Sequence, residues 1–180
     1  MRLAPVDPEQ LGRSLVEIAY LKGDFLLASG RRSQYYFDKY RFETRPELLG
    51  PVAAMIAERV PAGTDRLAGP ELGAVALAAA ASLASQIPFL IVRSAAKDYG
   101  TQNRIEGPFD AGDTVVLLED VMTSGGSALS AAQTLVAAGC IVSKIIAVID
   151  REEGGDAAIR AAGFDLDALF RRSELDRWLT

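Results

Sequence analysis

The chain has 180 residues, 49% of them hydrophobic and 24% charged, which is enough apolar material for a packed core in one domain and excludes global disorder. It has no histidine and a single cysteine, Cys140, so Ser-His and Cys-His nucleophile pairs, His-ligated metals, an internal disulfide framework and a thiolate zinc site are all excluded. A formal net charge of −5 argues against a broad nucleic-acid surface, so an anionic substrate must be gripped by local cations.

Segment 1–10 has one basic residue and no apolar core, so it does not read as a signal peptide, and a cytoplasmic location is expected. Leu11, Leu15, Ile18, Ala19 and Leu21 recur at helical spacing and predict a helix over 8–22, ended by Gly23-Asp24. Two short strands, 25–28 and 34–40, flank a turn at 29–32. Pro46 suits a first helical turn and a helix over 47–59 follows it. Strand 66–69 then precedes helix 73–85, and strand 88–93 precedes a polar loop over 94–107. The uncharged run 72–92 is long enough to cross a bilayer. Its Ala and Ser content, with Gln86 and Pro88, reads instead as a buried helix and strand. Strand 114–118 precedes helix 126–138, strand 142–149 precedes helix 156–162, and a strand over 165–170 leads to a short helix near Leu175.

Strands alternating with helices imply right-handed crossovers and a mainly parallel sheet. The unbroken apolar runs 115–118 and 145–149 suit central strands buried on both faces. The expected fold is α/β: a mainly parallel central sheet flanked by helices in a single domain over 1–180. The first helix and hairpin, about 1–44, form a small hood over the sheet.

The stretch most telling of chemistry is Val115-Val116-Leu117-Leu118-Glu119-Asp120-Val121-Met122-Thr123-Ser124-Gly125-Gly126-Ser127. An apolar strand runs into two acids, and a loop of small residues then opens a helix. Such a loop lets backbone amides close on an anion. Thr123, Ser124 and Ser127 add hydroxyls, and the helix N-terminus adds a favourable dipole. The acids can accept hydrogen bonds from sugar hydroxyls and favour a Mg²⁺ carried by the ligand. No Gly-Lys-Thr follows, so this is not a Walker loop. A plain helix-capping turn is the competing reading, but it leaves the acid pair unexplained.

This segment resembles the phosphoribosyl pyrophosphate motif of the type I phosphoribosyltransferases, and three further segments resemble the orotate phosphoribosyltransferases among them. The resemblance implies that Glu119 and Asp120 hold the ribose hydroxyls. It implies that Val121, Met122, Thr123, Ser124, Gly125, Gly126 and Ser127 form the 5-phosphate cradle, with Thr123 also beside the base. In Val92-Arg93-Ser94-Ala95-Ala96-Lys97-Asp98-Tyr99-Gly100-Thr101, Arg93, Lys97 and Tyr99 take the places of the lid residues that meet pyrophosphate, often across a dimer. Ser94 stands where the family usually has Lys, and Tyr99 where it has His. In Ser29-Gly30-Arg31-Arg32-Ser33-Gln34-Tyr35-Tyr36-Phe37-Asp38, Arg32, Tyr36 and Phe37 take the base-side places, although strand alternation lets only one of the two aromatics lie close to the base. In Ile149-Asp150-Arg151-Glu152-Glu153-Gly154-Gly155, Arg151 takes the orotate carboxylate; its competing reading is a surface ion pair with Glu152 or Glu153. Gly69-Pro70-Glu71-Leu72-Gly73-Ala74 matches the short pyrophosphate loop, without the Lys of many relatives.

The activity so implied is Mg²⁺-dependent transfer of the phosphoribosyl group to orotate, with Lys97, Asp120 and Glu119 in the catalytic roles. It also implies a homodimer with shared sites, small-molecule substrates, and neither nucleic acid nor membrane as partner. Alternative readings are transfer to another base, or a non-catalytic sensor of phosphoribosyl pyrophosphate.

Overall fold

The computed structural model describes residues 6–26, 30, 32–95 and 104–179. Helix α1, Pro8–Ala19, starts where the Asp7 carboxylate accepts hydrogen bonds from the Glu9 and Gln10 amides, with Pro8 in the first turn. It stops three residues before the predicted end. Tyr20 is already extended and pairs with Phe37, so β1, Tyr20–Leu26, runs antiparallel to β2, Arg32–Phe37. Gly23 and Asp24 fall in the register shift between Lys22 and Phe25 instead of ending a helix. Strand β2 also ends early, at Phe37 and not at Tyr40, and Tyr40–Glu43 forms a single helical turn, α2. The turn drives Phe42 fully into the core.

After α3, Pro46–Arg59, the chain enters the main sheet through β3, Arg66–Pro70, and then α4, Val75–Ser85, and β4, Phe89–Val92. Strand β5, Ile105–Glu106, comes next, then β6, Thr114–Met122, α5, Gly126–Ala137, β7, Ile141–Asp150, α6, Gly155–Ala161, and β8, Leu166–Arg171. Helix α7, Arg172–Leu175, and a 3₁₀ turn, Asp176–Trp178, close the described chain. The six-stranded sheet has the order β5-β4-β3-β6-β7-β8. All pairs are parallel except β4–β5.

Strand alternation divides the core between the two faces of the sheet. Val116, Leu118, Ile146 and Val148 pack with α1, α3 and α4. Val115, Leu117, Ile145 and Ala147 pack with α5 and α6. The hood shares the first of these clusters through Leu11, Leu15, Phe37 and Phe42. Among the described residues, no helix is long and apolar enough to cross a membrane.

Candidate functional site

The chain passes from β3 to β4 on one side and then returns to lay β6 on the other side of β3. Beyond the carboxyl ends of β3 and β6 lies the crevice at the point where strand order reverses, the usual ligand position in an open α/β sheet. Two turns face it, 71–74 after β3 and 123–125 after β6. In the second, Gly125 is the N-cap of α5, and no side chain hydrogen-bonds the helix amides. The hydroxyls of this stretch therefore do not serve as caps, and the first amides of a twelve-residue helix remain available for an anion. Thr123 is half-buried, and Ser124, Gly126 and Ser127 are exposed.

The sequence places the acid pair after a strand ending at 118, whereas β6 continues through Met122. Strand β7 stays paired with it as far as Met122↔Asp150, and this ladder keeps the polar residues extended. Glu119 and Asp120 are consequently both buried and project to alternate faces. The Asp120 carboxylate is held at both oxygens. Oδ1 accepts from the Val121 amide, and Oδ2 accepts from Lys39 Nζ at 2.6 Å. A Cβ on Gly73 would lie 2.0 Å from Asp120 Oδ2 and 2.2 Å from Lys39 Nζ, so the 71–74 turn closes directly over this ion pair. Glu43, on α2, completes the cluster. Burial pushes both Glu43 and Glu119 up to about 8, and the Asp120 charge adds to the effect in each case.

Arg151 follows β7, and its amide donates to Met122 O at 2.9 Å, which fixes it beside the 123–125 turn. It does form an ion pair, with Glu153 at 2.7 Å, but its side chain is only 6% exposed, so this is not a surface pair. The ring of Tyr35 lies against it, with the Arg151 Cζ 4.6 Å from the ring centroid and the Arg172 Cζ 4.5 Å from the same centroid. Tyr20 stacks on Tyr35 at 5.1 Å. Tyr36, on the opposite face of β2, packs on Phe25 at 5.6 Å, and Phe37 belongs to the core. Arg32 is exposed and paired with Asp24 across the hairpin. Arg93 lies 3.3 Å from Glu71 Oε2, while Glu71 Oε1 accepts from both the amide and the hydroxyl of Ser94. Those hydrogen bonds, with Arg93 beside them, hold the Glu71 carboxyl below its ordinary range. Lys97 and Tyr99 lie outside the described residues.

Three residues of this arrangement escape the sequence reading: Lys39, Glu43 and Tyr35. For Lys39 and Glu43 the available signal was the isolated Lys and Glu around an aromatic pair in Lys39-Tyr40-Arg41-Phe42-Glu43, but nothing local connects them to Asp120, 81 positions beyond Lys39. Tyr35 belongs to a run of three aromatics, and only packing selects which face of β2 meets Arg151.

No protein-family model matches the chain. Among curated proteins, it is 48% identical over 153 residues to the orotate phosphoribosyltransferase of Methanocella arvoryzae, covering 85% of this chain and 87% of that one. It is 44% identical over 171 residues to the orotate phosphoribosyltransferase of Pyrococcus furiosus, covering 93% and 94%. Among solved structures, the orotate phosphoribosyltransferase of Mycobacterium tuberculosis superposes with a TM-score of 0.84 at 29% identity, covering 94% of this chain and 99% of that one. The orotate phosphoribosyltransferase of Aeropyrum pernix gives 0.81 at 28% identity, covering 93% and 96%. Relatives this similar over nearly their whole length, and a shared fold, show that the chain belongs to the orotate phosphoribosyltransferase family, the pentosyltransferases that move the phosphoribosyl group of phosphoribosyl pyrophosphate onto orotate in de novo pyrimidine synthesis.

Proposed function

We propose that the donor lies across the crevice between β3 and β6, with its 5-phosphate on the 123–127 loop and its ribose hydroxyls on Glu119 and Asp120. Orotate lies beside it with its carboxylate on Arg151. The observation that carries this reading is the α5 N-terminus, free of any side-chain cap, one turn away from two buried acids. Buried polar atoms without partners support it further. Among the described residues these include Glu119 Oε2, Arg151 Nε and Tyr35 Oη, at this site. Such groups are costly to leave unpaired, and a ligand that pairs them removes the cost. A structure of the M. tuberculosis enzyme in complex with the donor, 26% identical and with a TM-score of 0.80, has the same fold.

In this placement N1 of orotate attacks C1 of the ribose as the C1–pyrophosphate bond breaks, and the N1 proton leaves to the pyrophosphate or to solvent. Positive charge builds on the ribose and negative charge on the departing pyrophosphate. The protein positions the reactants and stabilises those charges, without a covalent intermediate. Asp120, pinned at both oxygens, is arranged to face developing positive charge. Arg93 and Lys97 answer the pyrophosphate.

The acids also fit a Mg²⁺ that arrives with the donor. Asp120 is already engaged by Lys39 and Val121, which suits an ion held mostly by substrate oxygens with one or two carboxylates at its edge, and Glu119 Oε2 has no hydrogen-bond partner among the described residues. Such an ion would neutralise the leaving pyrophosphate. Lys97 and Tyr99 serve the site of the opposite subunit in a two-fold homodimer, and the proposed location is the cytoplasm. Loss of orotate absorbance with donor and Mg²⁺ present tests the base assignment. Orotate is consumed, while uracil, which lacks the carboxylate, and purine bases are not. Equal turnover of uracil would remove Arg151 from the proposed role.

A further inference from the structure

We propose that Lys39 is a positioning residue for phosphoribosyl transfer, its ammonium orienting the Asp120 carboxylate and balancing its charge beneath the 71–74 turn. The proposal rests on the assignment of Asp120 to the ribose made above. Lys39 lies in the hood, between β2 and α2, whereas Asp120 lies in the central strand β6. Their 2.6 Å contact is the hydrogen-bonded link between hood and phosphate strand at this point, with Lys39 26% and Asp120 4% exposed at their side chains.

Three features make the contact more than an ion pair of convenience. Asp120 shares its surroundings with two further acids, Glu119 on β6 and Glu43 on α2. A carboxylate buried there needs donors in contact with its oxygens. Among the described residues, Lys39 is the cation hydrogen-bonded to it. Next, the donor is strongly anionic, and an unbalanced carboxylate at the ribose would repel it. The Lys39–Asp120 pair has no net charge, so the acid can stand close to phosphates without opposing them. Finally, the pair has no room to rotate. Gly73 lies against both of its ends, and the Val121 amide holds the other carboxylate oxygen. The 71–74 turn contains no cation of its own, so Lys39 reaches this corner of the crevice from the hood. An acid oriented and charged before the substrate arrives contributes chiefly at the transition state, when the ribose becomes cationic.

The test is a double-mutant cycle in the full-length enzyme, with kcat and donor KM measured for Lys39→Met, Asp120→Asn and the double variant. Lys39→Met is expected to lower kcat by about 10- to 100-fold with donor KM within about threefold, the loss of one hydrogen bond to a charged group. Because Lys39 acts through Asp120, the double variant should match Asp120→Asn within about twofold. Multiplied losses in the double variant, or parental kcat in Lys39→Met beside an impaired Asp120→Asn, would overturn the proposal. Parental kcat in Asp120→Asn would instead remove the ribose assignment on which it rests. If Lys39→Met melts below the assay temperature, Lys39→Gln keeps a donor without the charge and is read by the same outcomes.

Discussion

Arg151 is buried, paired to Glu153 through Nη2, and its Nε has no hydrogen-bond partner among the described residues. A guanidinium so placed offers a carboxylate a charge-assisted hydrogen bond in a water-poor setting. Arg151→Ala should therefore weaken orotate binding by about 2 to 4 kcal/mol, roughly 30- to 1,000-fold, while donor binding changes little. Calorimetry with each substrate in turn checks this, and unchanged orotate affinity would count against the assignment. Glu43 allows a different residue-scale test. Its carboxyl is raised from 4.5 to about 8 by burial first and by Asp120 second. Between those values the folded chain holds a proton that the unfolded chain releases, so the contribution of Glu43 to stability is greatest below about 4.5 and is lost as pH rises to about 8. Glu43→Gln removes the titration. Relative to the parent, the variant should gain about 1 to 4 kcal/mol at pH 8.5 and close to nothing at pH 4.5. Thermal melts of the ligand-free protein at the two pH values measure the difference, and a pH-independent offset would contradict it. The place of Arg151 was legible at this scale because it follows from a local pattern, an arginine directly after an apolar strand. Tyr35 was not, because alternation says that Tyr35 and Phe37 share a face without saying which face is buried.

Elements were legible in type and less so at their ends. The helix over 8–22 loses its last turn because Tyr20 gains a strand partner in Phe37, a contact between segments that periodicity does not register. Strand β6 exceeds its prediction for the same reason, its ladder with β7 overriding two acids. The C-terminal segment, which the sequence left without a role, turns out to seat α1. A Cβ on Gly12 would lie 2.1 Å from the Trp178 ring, and Arg13 lies over that ring at 5.8 Å. Gly12→Ala should therefore expel or shift the indole and cost about 1 to 3 kcal/mol. Trp178 is the only tryptophan in the chain, so its fluorescence reports on this contact alone. The emission should move to the red and Tm should fall by several degrees. An unchanged spectrum together with an unchanged Tm would mean that α1 does not depend on this contact.

At the scale of the whole molecule, the proposed sharing of sites can be tested by complementation. In a two-fold dimer each site takes its phosphate loop from one subunit and its lid from the other. Lys97→Ala damages the lid and Asp120→Ala the phosphate side, so each homodimer should be nearly inactive. In a mixed dimer one site collects both lesions and the other neither. Statistical remixing makes half of the dimers mixed, and turnover should recover to about a quarter of the parent's. Co-expression of differently tagged chains, with mixed dimers confirmed by mass spectrometry, provides the measurement; confirmed mixing without recovery would place Lys97 in its own subunit's site or outside catalysis.

The sequence by itself determined the alternating α/β order, the parallel central strands, the acid pair running into a turn of small residues before a helix, and the place of Arg151 after the next strand. Each of these is written in contiguous residues, as periodicity, as a turn signal or as a short motif. Only the tertiary structure decided that Lys39 meets Asp120, that Glu43 joins the buried acids, that Tyr35 and not Tyr36 lies on Arg151, and that Trp178 closes on Gly12. Those pairings join segments far apart in the chain. Their partners are chosen by packing and by the cost of burying charge, and neither leaves a local pattern to read.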